Sequence, residues 1–165
     1  SQTFNVNFSS AKNGIRYQLT IRFYYQEWPT ADTTRKQMKY VDWVVFDNLR
    51  ASDPTSTSTF NLYIPGKGFF ARVGAAVDTT TVLSRYPHHC KYIFSVASSD
   101  LNTYMEVTEP STTVVQEKPP FTNITNGIGL FSSRFTNVVD SLTISTMTRA
   151  YLQSNPLTAG RGFLK

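Results

Sequence analysis

His88, His89 and Cys90 are three consecutive residues whose side chains can ligate a metal or take part in nucleophilic chemistry. In an extended segment His88 and Cys90 project to one side and His89 to the other. A zinc site needs three or four ligands at a recognisable spacing, and the whole chain holds 2 His and 1 Cys. A catalytic cysteine needs a base held against it and a third group orienting that base, a geometry that sequence neighbours rarely reach. The expectation is therefore a structural loop with incidental histidines, no bound metal, no cofactor and no catalytic residues. A single cysteine also excludes an internal disulfide.

Glu106 and Glu109 are three residues apart. A glycosidase pair must face each other across a cleft at a set separation, whereas this spacing places both on one solvated helical face. Asn126-Gly127-x-Gly129 has the glycines of a phosphate loop. It lacks the preceding strand, the following helix and the Lys-Ser/Thr that such a loop uses, so it reads as a turn and a close-approach site. Asn7-Phe8-Ser9 and Asn123-Ile124-Thr125 match the glycosylation acceptor, a pattern common by chance. Tyr24 and Trp28 are the candidate ligand-binding residues. They fall at or off the polar phase of the clearest strand, where exposed rings stack on sugars or anchor a protein contact.

Composition narrows the class. Of 165 residues, 40% are hydrophobic, 16% charged and 14% aromatic, with 9 Tyr and 12 Phe. Together with abundant Ser and Thr, this favours sheet over helical bundle and suits a secreted or surface protein. The net charge of +5 does not make a nucleic-acid binder. The basic residues are scattered, and Arg35, Lys36 and Lys39 form the one small cluster, where such proteins show a stripe or a known module. No apolar run approaches the ~20 residues of a membrane span. The chain opens on Ser1 without an initiator Met, which reads as a piece excised from a longer protein.

These residues need elements to position them. Phe4, Val6 and Phe8 alternate with polar residues as a short strand. Tyr17, Leu19, Ile21, Phe23 and Tyr25 alternate with Gln18, Thr20, Arg22 and Gln26, the pattern of a strand with one buried and one wet face. Asn13-Gly14 between the two runs predicts a hairpin. Trp28-Pro29 ends the second strand. Lys39 to Phe46 is apolar on both phases and predicts a central strand. Asp42 within it is either a paired buried acid or an edge residue. A Ser/Thr/Asp/Pro linker spans Ala51 to Thr59, and Phe60, Leu62 and Ile64 form a short strand.

Phe69, Phe70, Val73 and Val77 have helical spacing despite Gly74. Tyr92, Phe94 and Val96 form another strand. Ser98, Ser99 or Asp100 caps a helix carrying Leu101, Tyr104 and Met105. A long loop follows from Glu109 to Pro120. Next come a strand at Ile128, Leu130 and Phe131, and a last helix capped by Asp140 or Ser141 and bearing Ile144, Met147, Tyr151 and Leu152. Pro156 stops that helix, and residues 156–165 are expected as a loose tail.

The run Phe121-Thr-Asn-Ile-Thr-Asn-Gly-Ile-Gly-Leu-Phe-Ser-Ser-Arg134 resembles the closing signature of uncharacterised lipoproteins from Bacteroidetes-type bacteria. The family order is a strand, a helix with a Tyr, a Pro-bearing loop and an Asn-Ile-x-x-Gly-x-Gly-hydrophobic-Phe run. Here these parts are matched by Tyr92 to Val96, Tyr104, Pro119-Pro120 and Asn123 to Phe131, about a quarter of the chain. The resemblance implies export, residence on the outer membrane or cell surface, and a lipid anchor on a cysteine outside this chain. It brings no catalytic residues.

The expected fold class is α+β and mostly β: an antiparallel sheet or β-sandwich with two or three short helices, built as a single extracytoplasmic domain. The expected function is a non-enzymatic module that binds a ligand, a glycan or peptide, or a protein partner. By resemblance, nutrient capture beside an outer-membrane transporter is one setting. The alternatives are a glycan or peptide hydrolase and a structural or adhesive ectodomain.

Overall fold

The computed structural model describes residues 3–28, 33–79, 84–108, 122–126 and 129–164. It is α+β and mostly β, with two antiparallel sheets. In chain order the elements are β1 (Thr3–Ser9), β2 (Arg16–Trp28), β3 (Gln37–Arg50), β4 (Thr59–Pro65), α1 (Lys67–Ala76), β5 (Ser84–Ala97), α2 (Ser99–Thr108), β6 (Arg134–Thr143) and α3 (Thr146–Ser154). A short 3-10 turn, Thr33–Arg35, precedes β3. The larger sheet has the order β3-β2-β5-β6, and β1 pairs with β4 in a separate ribbon. No helix among the described residues is long and apolar enough to cross a membrane.

β2 organises the fold. Its period-two pattern buries Tyr17, Leu19, Ile21, Phe23 and Tyr25 on the inner face. The β1–β4 ribbon, α1 and α3 cover that face. Phe8 of β1 sits 4.8 Å from Phe60, 4.6 Å from Phe94 and 5.5 Å from Tyr17, ring centre to ring centre. Towards the other end Phe23, Tyr25, Val41, Phe69, Phe70, Val73, Leu152 and Phe163 form one continuous core. Gly74 is needed in α1 because a Cβ there would overlap the Leu157 carbonyl group.

Several expectations are corrected. Asn13-Gly14 does not join a β1–β2 hairpin. Asn13 takes the turn at φ 65°, but β1 pairs with β4, Thr3 opposite Pro65 through Ser9 opposite Thr59. The turn is held from elsewhere: Ser10 N–H donates to the Ser58 carbonyl, Asn13 N–H to the Pro54 carbonyl, and Ala11 N–H to the buried Tyr17 hydroxyl. β3 is an edge strand rather than a central one, and Tyr40 and Val44 stay 55% and 49% exposed. Its register shifts between the Leu19–Phe46 and Thr20–Val44 pairs. The extra residue turns Phe46 inward to stack on Phe8, away from the face of Tyr40.

His88, His89 and Cys90 lie within β5, not in a loop. No strand forms at Leu130 and Phe131, and Phe131 is 82% exposed; Gly127 and Ile128 lie outside the described residues. The strand falls later, at Arg134–Thr143, and takes up Asp140 and Ser141. The cap of α3 is therefore Ser145, whose Oγ accepts from Thr148 N–H. The loop from Glu109 to Pro120 also lies outside the described residues.

The tail is fastened where a loose one is expected. Phe163 and Thr158 are buried, and Arg85 in β5 exchanges backbone hydrogen bonds with Gly162 and Leu164. Buried Arg85 also reaches the Arg161 carbonyl at 2.5 Å and the Glu27 carboxylate at 2.8 Å. An apolar ring docked in the core and satisfied backbone groups are what order a chain end.

Candidate functional site

The outer face of the four-stranded sheet carries a connected group of rings and charges, one or two residues from each strand. α2 covers one end of this face, where Leu101 and Met105 line a small hollow together with Gln18 and Ser95. The α2 carboxylate Glu106 is engaged by Arg50. Glu109, the other carboxylate of the candidate pair, lies outside the described residues.

Beyond α2, cross-strand register does the positioning. Arg22 and Tyr24 of β2 stand opposite Asp42 and Tyr40 of β3. On the other side they stand opposite Lys91 and His89 of β5. Side chains so placed on one face are close enough to interact. Arg22 grips Asp42 through two parallel bonds, Nε to Oδ1 at 2.7 Å and Nη2 to Oδ2 at 2.8 Å. Its guanidinium also lies over the Tyr40 ring, 4.2 Å from the centre. The Asp42 hydrogen bond raises the Arg22 pKa still further, so this cation is permanent. Asp42 is thus the paired acid of an edge strand.

Tyr24 is at the centre. Its ring stacks on His89 at 4.5 Å and 12°, tilts against Tyr40 at 5.8 Å, and lies 5.6 Å from Lys91 Nζ. Lys91 Nζ contacts Asp140 of β6 at 2.8 Å, and His89 Nε2 is 3.6 Å from the same carboxylate. Asp140 holds the Lys91 ammonium above its usual pKa, and Lys91 with the Ser141 N–H holds Asp140 below the carboxylate range. Partial burial, then His88, lower the His89 pKa against the opposite pull of Asp140.

The histidine–cysteine cluster separates in space. A register shift between the Tyr24–His89 and Tyr25–Pro87 pairs leaves His88 as the bulged, exposed residue. Its Nδ1 is 2.6 Å from His89 Nδ1. His89 points outward. Cys90 points inward against the core, where burial pushes its thiol up to about 12. The two therefore do not form a thiolate–imidazole pair. Among the described residues, no three His, Cys, Asp or Glu side chains gather as metal ligands.

Of the two binding candidates, Tyr24 lies in the cluster. Trp28 lies four residues along the same strand, half-buried at its end and opposite Ser84. The structure does not bring them into one site. Tyr40, Asp42, Arg22, His89, Lys91 and Asp140 are the partners missed from sequence. They are spread over four strands, one or two to each, and the cross-strand register gathers them. What the face offers is exposed ring surface with fixed donors and acceptors around it, the composition of protein-contact anchors and of sites that hold a polar ligand. Set against protein-family models, curated proteins and solved structures, the chain has no match.

Proposed function

We propose that this chain is a non-enzymatic binding module that meets a glycan, a peptide or a protein partner on the outer face of its four-stranded sheet. Its setting in this reading is the surface of a bacterium, held by a lipid on a cysteine outside the chain. One observation carries the binding site: Tyr24 lies among Tyr40, His89, Arg22 and Lys91, with Tyr40 more than half exposed. The charges are paired within the face, so they keep their geometry before a ligand arrives, which reduces the ordering cost of binding. The cell-surface setting rests on the sequence resemblance of Asn123 to Phe131.

The experiment is an array of soluble oligosaccharides and short peptides probed with the wild-type chain and with Tyr24→Ala. At least one class of probe is expected to bind the wild type and to lose roughly tenfold or more in affinity, about 1.4 kcal/mol, in the variant. Binding that survives Tyr24→Ala and Tyr40→Ala unchanged places the site elsewhere.

A further inference from the structure

On the opposite side of the sheet, the ribbon, α1 and α3 do not close the space between them. A cavity of about 270 Å³ remains. Ile21 of β2, Tyr92 of β5 and Leu142 of β6 form its floor, Phe4 and Phe69 wall it from above, and Ile144 closes it beside α3. Cys90 also faces it. Native interiors leave few voids larger than a water molecule. An apolar cavity of about 150 Å³ already holds benzene, so this one accommodates a substituted ring or a short branched chain.

Two features make it more than loose filling. The β5–β6 register shifts between Cys90–Leu142 and Tyr92–Val139, and Ser141 in the bulge has φ 58°, a left-handed conformation that a non-glycine residue seldom adopts. The bulge gives Asp140 to the outer face and Leu142 to the cavity floor. The turn after β6 then supplies a polar rim. Ser145 Oγ and Thr148 Oγ1 form a hydroxyl pair at 2.9 Å beside the cavity, and Thr143 and Ser145 are solvent-exposed, which sets the mouth there. None of the described residues lining it is charged, so a charged ligand would be buried without a counter-ion, at high cost.

We infer that this cavity is a second binding site, for a small neutral molecule that is mainly apolar and carries one hydroxyl or carbonyl group. It is independent of the outer face and stands or falls separately. The probes are p-cresol and the 4-methylbenzoate anion, which share a ring and differ in charge. They are titrated into the 165-residue chain and followed by methyl NMR. p-Cresol is expected to shift the methyl signals of Ile21, Leu142 and Ile144 saturably, and 4-methylbenzoate to bind about tenfold more weakly or not at all. The single cysteine supplies a second readout: p-cresol slows modification of Cys90 by methyl methanethiosulfonate. Ile144→Phe and Leu142→Phe fill the cavity, and whichever variant folds is expected to lose the p-cresol response. Shifts that do not saturate, equal affinity for both probes, or binding retained in a folded filling variant overturn the inference. If neither variant folds, p-cresol binding that leaves the Cys90 rate unchanged overturns it.

Discussion

Phe23 and Tyr24 are neighbours in the chain and belong to opposite faces of β2, so their substitutions should differ in kind. Phe23 is fully buried, with ring contacts to Tyr25, Phe69 and Phe163. Phe23→Ala should cost about 3–5 kcal/mol through lost burial and the cavity left behind. Tyr24→Ala removes ring contacts on a solvated face and should cost about 1 kcal/mol. Urea denaturation of the two variants checks this, and equal losses would contradict the two-faced strand. Gly74 gives a sharper sign test. By helix propensity Gly74→Ala should stabilise by about 1 kcal/mol. The Leu157 carbonyl occupies the space its methyl needs, so the variant should instead lose about 1–3 kcal/mol. A raised denaturation midpoint would show that Leu157 does not sit there.

At the scale of elements, β2 was legible because its alternation is long and uninterrupted, and α1 because four apolar residues share one face. β6 was not. Phe135, Val138 and Val139 remain exposed on an edge strand, so burial leaves no regular pattern in its sequence. The β1–β4 pairing was hidden for another reason: it spans more than fifty residues, while the Asn13-Gly14 signal is local. Glu27 is legible in the alternation, since the buried phase of β2 continues from Tyr25 to this carboxylate. Burial pushes that carboxyl up, but Lys39 at 2.6 Å and Arg85 at 2.8 Å outweigh it and hold its pKa below the usual value. A depressed carboxyl pKa adds stability that is present above the ordinary value of about 4.3 and is lost as pH falls through the depressed one. Glu27→Gln should therefore flatten the acid limb of the stability–pH curve, followed by thermal melts from pH 7 to 3. Arg85→Ala should cost about 3–5 kcal/mol at pH 7, because it leaves a buried carboxylate short of a partner. An unchanged acid limb in Glu27→Gln would remove this network from the account.

At the scale of the whole molecule, one sheet serves two environments: an inner face covered by the ribbon, α1, α3 and the chain end around one cavity, and an outer face only partly covered by α2. The chain end belongs to the structure through Phe163 and its parallel bridge to Arg85. Deleting residues 156–165 should cost about 3–5 kcal/mol, and a truncated chain that melts with the full one would restore the loose tail. The class of fold was legible in composition and alternation. The candidate site was only one residue legible, Tyr24, because its other members are gathered by strand order rather than by spacing along the chain. The measurement that tests the binding face most directly is an amide chemical-shift map of the full chain with its strongest-binding array oligosaccharide or peptide. The account predicts perturbations centred on Arg22, Tyr24, Tyr40, His89 and Lys91, and perturbations centred on Trp28, on α2 or on the inner face would contradict it.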